Sequence, residues 1–126
     1  LSLLPSMKSD ITLTSKTSRK VLIIDAKFYS QSLQKRFDKF SIYSGNMYQI
    51  FTYVKNKTYA SSDREVSGLL LYAKTDHELQ PKAKFKMSGN DISVDNLDLS
   101  TEFSFIKAKL DEIIRIWNSK NLIQCE

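Results

Sequence analysis

Cysteine is nearly absent from this sequence, and the one thiol, Cys125, stands beside the carboxyl end, so no internal disulfide can form. With a single histidine, His77, a cysteine-ligated zinc centre cannot be assembled either. Neither residue reads as functional: His77 lies in the polar stretch Thr75-Asp76-His77-Glu78, and Cys125 has no evident base to activate it. The lack of a disulfide framework points to a cytoplasmic protein. No apolar run approaches the roughly 20 residues that a membrane span requires. The opening Leu1-Ser2-Leu3-Leu4 is too short, and lacks the basic flank, to read as a secretory signal. A membrane role is therefore not expected. The three glycines form no phosphate-cradling loop, so nucleotide hydrolysis is not expected of this chain. The first residue is not Met, which leads us to expect a fragment or a processed product.

What the chain does have is basic charge, unevenly placed. The formal net charge is +5 over 126 residues. Residues 1–57 hold ten Lys/Arg against three Asp/Glu, whereas residues 58–126 hold nine against eleven. Basic charge gathered on one part of a domain is the footprint expected for a polyanion partner, although solvated surface lysines would look the same.

The hydrophobic pattern predicts a single α/β domain. Asp10 to Thr14 reads as a short strand and Lys16 to Arg19 as a polar turn. Lys20 to Ala26 is a continuous, β-branched apolar run suited to a central strand buried on both faces. Residues 30–45 are polar, basic and weakly patterned, and are expected to form a long loop with at most one helical turn. Asn46 is a candidate cap for a helix to about Lys57, in which Met47, Ile50, Phe51 and Val54 follow the i, i+3, i+4, i+7 spacing of a buried stripe. Val66 to Ala73 is a second apolar strand, and strand-helix-strand in this order favours a right-handed crossover. Lys84 to Met87 and Ile92 to Asp95 flank Ser88-Gly89-Asn90-Asp91, a hairpin turn. A last helix is expected from about Glu102 to Asn118, with Phe103, Ile106, Leu110, Ile113, Ile114 and Trp117 on its apolar face.

The chemistry-bearing pattern is an acid at the start of one strand, Asp10, and Asp25-Ala26-Lys27 at the end of the next. Side chains two apart on a strand share a face, so Asp25 and Lys27 would border one site, and a short turn could return Asp10 to it. Two carboxylates and the Ala26 carbonyl would suit Mg²⁺, a hard cation that prefers oxygen ligands; Mn²⁺ would serve as well. A metal there would activate water towards a phosphoryl group, and the Lys27 ammonium would stabilise the charge that develops. Taken alone the pattern is weak, because an Asp or Lys at the end of a buried strand commonly marks only the point where the chain meets water.

Its context is more specific. Met7-Lys8-Ser9-Asp10-Ile11, followed by Val21-Leu22-Ile23-Ile24-Asp25-Ala26-Lys27-Phe28-Tyr29, resembles the core motif of PD-(D/E)xK nucleases. Downstream, Gln49-x-x-x-Tyr53 within Asn46 to Val54 is similar to the Gln-x-x-x-Tyr helix signature of the RecB-like branch. In this order and spacing, and with Val66 to Thr75 as the following strand, the combination resembles the McrC family, the nuclease subunit of modified-cytosine restriction systems. The resemblance implies a restriction-endonuclease-like mixed central sheet flanked by helices, with catalytic Asp10, Asp25 and Lys27. Gln49 and Tyr53 would support the site or the DNA beside it. The two also admit a plain reading, Gln49 as part of a capping box with Asn46 and Tyr53 as an edge-of-core aromatic.

The resemblance further implies a metal-dependent endonuclease acting on double-stranded DNA beside a GTP-driven AAA+ motor subunit of the McrB type. A non-cleaving binding or assembly module, or an exonuclease of the RecB-like branch, would share the same pattern. Ser9 stands where the superfamily name has Pro. Many members also supply a Glu from a helix ahead of the first strand, so we expect a C-terminal portion lacking the family's N-terminal region. Lys16, Arg19, Lys20, Lys35, Arg36 and Lys39 flank the site in sequence and are candidates for DNA-backbone contacts, with Tyr29 and Tyr43 as possible helpers. Lys82, Lys84 and Lys86 alternate with Ala83 and Phe85 and read as a solvated strand face.

Overall fold

A computed structural model describes residues 11–29, 39–74 and 82–124, apart from the side chains of 29, 39–44, 74 and 120–124. Among these residues the chain runs β1 (Ile11–Thr14), β2 (Lys20–Tyr29), α1 (Lys39–Ala60), β3 (Glu65–Lys74), β4 (Ala83–Met87), β5 (Asn90–Asp98) and α2 (Phe103–Gln124). The five strands form one mixed sheet in the order β1-β2-β3-β5-β4. β1 is antiparallel to β2, β2 to β3 and β3 to β5 are parallel, and β4 closes the far edge antiparallel to β5. Helices flank this sheet on both faces, an architecture consistent with the restriction-endonuclease-like fold anticipated above.

Strand alternation explains the two layers. Val21 and Ile23 of β2, Val66 of β3 and Ile92 of β5 are buried with Ile50 and Val54 of α1. Leu22 and Ile24, Leu69 and Leu71, and Leu97 point the other way and meet Ile106, Leu110, Ile113 and Trp117 of α2. Central strands covered on both faces need apolar residues at consecutive positions, which is why β2 and β3 carry unbroken apolar runs.

Gly68 sets the seat of α1. A methyl group added there would lie 2.8 Å from Val54 Cγ2, 3.0 Å from Ile50 Cγ1 and 3.1 Å from Ile92 Cδ1. Glycine thus lets the helix approach β3 closely.

Several expectations need correction. The segment 39–45 is helical, Gly45 included, so Asn46 lies inside α1 and is not its cap. Burial of Ile50 and Val54, both 0% exposed, holds the helix against the sheet, and cooperative propagation carries it upstream through residues that show no pattern of their own. The hairpin turn is two residues, not four: Ser88 and Gly89 have φ of 50° and 87°, and Met87 pairs with Asn90. Positive φ at both central positions is the type I′ geometry whose twist matches the flanking strands. On α2, Phe103 is 75% exposed and Ile114 is 37% exposed. Phe103 is the first residue of the helix, and Ile114 is rotated about 100° from Ile113, off the buried stripe. No helix among the described residues is long and apolar enough to cross a membrane.

Candidate active site

β2 continues past its apolar run to Tyr29, carrying Asp25 and Lys27 to the carboxyl-terminal ends of the parallel strands. Both follow Val21 and Ile23 in phase and so face α1. Asp25 is 3% exposed. Its Oδ2 lies 3.4 Å from the Lys27 ammonium, an ion pair in which the lysine side chain keeps partial contact with solvent. A buried carboxylate beside an ammonium is an arrangement that a protein interior tolerates only with such compensation.

α1 supplies the second half of the site. Lys27 Nζ donates to Gln49 Oε1 at 2.7 Å, and Gln49 Nε2 donates to Tyr53 Oη at 3.0 Å. Gln49 and Tyr53 are one helical turn apart, which brings both onto the edge of α1 that overhangs β2. The amide orientation follows from this chain: its carbonyl faces the cation and its NH₂ faces the phenol. A hydrogen bond from a charged donor is roughly twice as strong as a neutral one, so Gln49 is an effective clamp on the ammonium. The capping-box reading of Gln49 is overturned, since Asn46 is mid-helix and the Gln49 amide is engaged with Lys27 and Tyr53. Tyr53 packs against the core while its hydroxyl oxygen accepts from Gln49.

Two polar residues to which the sequence assigns no role in the site stand in the same place. Asn46 Nδ2 donates to Tyr72 Oη at 3.1 Å, and Tyr72 is 0% exposed. Tyr72 is the Cα partner of Lys27 across the β2–β3 pair. A helix-periodic signal existed for Asn46, because 46, 49 and 53 follow i, i+3, i+7, one residue behind the apolar stripe of Met47, Ile50 and Val54.

The structure thus brings together Asp25, Lys27, Gln49 and Tyr53. Asp10, Lys35 and Arg36 lie outside the described residues, as do the side chains of Lys39, Tyr29 and Tyr43 and the whole of His77 and Cys125. The remaining basic candidates are elsewhere. Lys16 and Arg19 are exposed in the β1–β2 turn, at the opposite end of β2 from the site; six residues of strand put Arg19 roughly 20 Å from Asp25. Lys20 is not a surface cation: it is 2% exposed, and its Nζ donates to the carbonyls of Trp117 at 2.9 Å and Asn118 at 3.3 Å in α2. The cause is phase, since Lys20 points to the same face as Leu22 and Ile24. Lys84 and Lys86 are exposed on edge strand β4 and Lys82 is exposed just before it, and Lys86 pairs with Asp91 at 3.3 Å.

Asp25 and the Ala26 backbone offer oxygen, the donor type that Mg²⁺ and Mn²⁺ prefer, so the described donors fit such an ion in kind. No group of three or more His, Cys, Asp or Glu converges among the described residues. The remaining expected ligand, Asp10, directly precedes Ile11, whose Cα partner is Ile24, the neighbour of Asp25.

Comparison with known proteins adds an independent line. A family model described as McrBC 5-methylcytosine restriction system component matches residues 4–73, a span that contains β1, β2, α1 and nearly all of β3. The chain is also 34% identical over 113 residues to the type IV methyl-directed restriction enzyme EcoKMcrBC of Escherichia coli (strain K12). That similarity covers 90% of this chain but 31% of the relative, so the chain spans less than a third of that protein's length.

Proposed function

Because the chain belongs to the McrBC 5-methylcytosine restriction system component family, we propose that it is the part of such a system that cuts DNA, a metal-dependent endonuclease of the PD-(D/E)xK type. The observation that carries this reading is the buried Asp25 carboxylate with the Lys27 ammonium two residues along the same strand face, 3.4 Å away and held at 2.7 Å by Gln49. The Gln49 amide holds the ammonium at a fixed point, as a lysine that must meet a phosphate requires.

Asp25, Asp10 and the Ala26 carbonyl would hold Mg²⁺ or Mn²⁺. Such an ion, when bound, lowers the pKa of a coordinated water and polarises a phosphoryl oxygen. Lys27 has three N–H donors; among the described residues Asp25 and Gln49 face two, and the third would serve the scissile phosphate, where it offsets developing negative charge. Tyr53 accepts from Gln49, so its own O–H is directed away from the clamp and donates to a backbone phosphate of the duplex. Lys35, Arg36 and Lys39 are further candidates for phosphate contacts by charge and sequence position alone, and Lys16 and Arg19 for phosphates farther along the duplex.

The relative's name refers to methyl-directed restriction. By extension, the substrate here is modified-cytosine DNA delivered by a GTP-dependent AAA+ partner of the McrB type, in the cytoplasm. The test is Mg²⁺- or Mn²⁺-dependent cleavage of methylated duplex DNA by the full-length protein together with that partner. Wild type should cut, and Asp25→Ala should bind DNA nearly as well without cutting; equal cleavage by the variant contradicts the assignment. Cutting of covalently closed circles distinguishes an endonuclease from an exonuclease.

A further inference from the structure

The edge of α1 that overhangs the site is tied to both central parallel strands by side-chain amides one turn apart. Gln49 holds Lys27 of β2, and Asn46 holds Tyr72 of β3. Lys27 and Tyr72 are register partners on the same sheet face, so the two tethers end on adjacent side chains. Tyr72 is fully buried and packs with Leu70, Val94 and Met47, which fixes its ring beside the lysine stem and points its hydroxyl at α1.

We propose that Asn46 and Tyr72 are a positioning pair for the catalytic lysine, setting the axial placement of α1 so that the Gln49 carbonyl meets the Lys27 ammonium. The apolar contacts of Ile50 and Val54 around Gly68 fix how close the helix lies, but dispersion contacts are weakly directional and tolerate sliding. A residue of helix rises 1.5 Å, and a slip of that size would carry a 2.7 Å bond out of range. The Asn46–Tyr72 bond is the directional contact closest to that requirement. Asn46 and Tyr72 act through Gln49 and Lys27 and touch no reacting atom. The geometry stands independently of the nuclease reading; only its catalytic consequence rests on it.

The test uses Tyr72→Phe, which keeps the ring and removes the hydroxyl, and Asn46→Ala at the partly exposed end of the bond, so that one variant remains if the other does not fold. Two readouts apply to each: the side-chain amide resonances of Gln49 in the ¹H–¹⁵N spectrum, and the cleavage rate at saturating DNA. Either variant should shift the Gln49 resonances and lower the rate about tenfold with KM for DNA unchanged. The double variant should be no worse than either single one, and neither should lower the rate further in a Gln49→Ala background. Unmoved Gln49 resonances in both variants, or losses that add to that of Gln49→Ala, overturn the proposal. If wild type cuts no DNA but the Gln49 resonances shift as described, the positioning role stands and the nuclease reading falls.

Discussion

The two faces of the sheet are built from the same strands by the same alternation, yet they end differently. On the α1 face the apolar layer of Val21, Ile23, Val66 and Ile92 gives way, at the carboxyl-terminal ends of β2 and β3, to Asp25, Lys27 and Tyr72, each engaged by or beside a polar side chain of α1. On the α2 face the apolar layer of Leu22, Ile24, Leu69, Leu71 and Leu97 carries no such polar cluster at that end among the described residues, and Ala26 and Phe28 of β2 are exposed there. Its polar features sit instead at the opposite end and along the β4 side, in the buried Lys20 and in a cleft of ≈ 120 Å³ lined by Lys84, Ser93, Asp95 and Trp117 among others. That cleft lies across the sheet from Asp25. The proposed chemistry thus lies on the face whose helix carries a polar stripe beside its apolar one, and not at the cleft.

The strongest test of that contrast is Asp25→Asn, which keeps the volume and removes the charge. Metal-dependent cleavage should fall on the order of a thousandfold or more, with the circular dichroism spectrum unchanged. Next comes a cavity on the opposite face. Leu71→Ala, at a position 4% exposed, should cost about 2–5 kcal/mol in denaturant unfolding while cleavage per folded molecule stays at the wild-type level. A loss of cleavage in the folded fraction would show that the two faces are not independent.

Lys20→Met removes two charge-assisted bonds to α2 but keeps a long apolar stem. It should destabilise by about 1.5–3 kcal/mol and leave DNA affinity and its salt dependence unchanged, as measured by titration at several salt concentrations. Gly68→Ala is expected to cost about 1–3 kcal/mol through overpacking against Val54 and Ile50. Unlike Leu71→Ala, it should also slow cleavage per folded molecule, because it displaces the helix that carries Gln49.

Much of this arrangement could be read from the residues. Unbroken apolar runs located β2 and β3, the Met47, Ile50, Val54 spacing located the helix between them, and the two-residue period put Asp25 and Lys27 on one face. What escaped had physical reasons. The first seven residues of α1 are helical through cooperativity with a packed segment downstream, a non-local cause that no window over 39–45 contains. Charge alone groups Lys20 with surface cations, whereas its phase with Leu22 and Ile24 sets it on the α2 face. Residue type suggests a cap at Asn46, whereas its spacing to Gln49 and Tyr53 marks a polar stripe. Tyr72 looked like one more strand aromatic until the β2–β3 register set it beside Lys27. Asp10 was named from its motif, and its carboxylate lies outside the described residues.

The most direct measurement is anomalous diffraction from a crystal soaked in Mn²⁺. The account predicts a peak about 2.1 Å from a carboxylate oxygen of Asp25 and within coordinating distance of Asp10, lost in Asp25→Asn. A peak bound elsewhere, or carboxyl groups of residues 10 and 25 directed to opposite faces of the sheet, would contradict it.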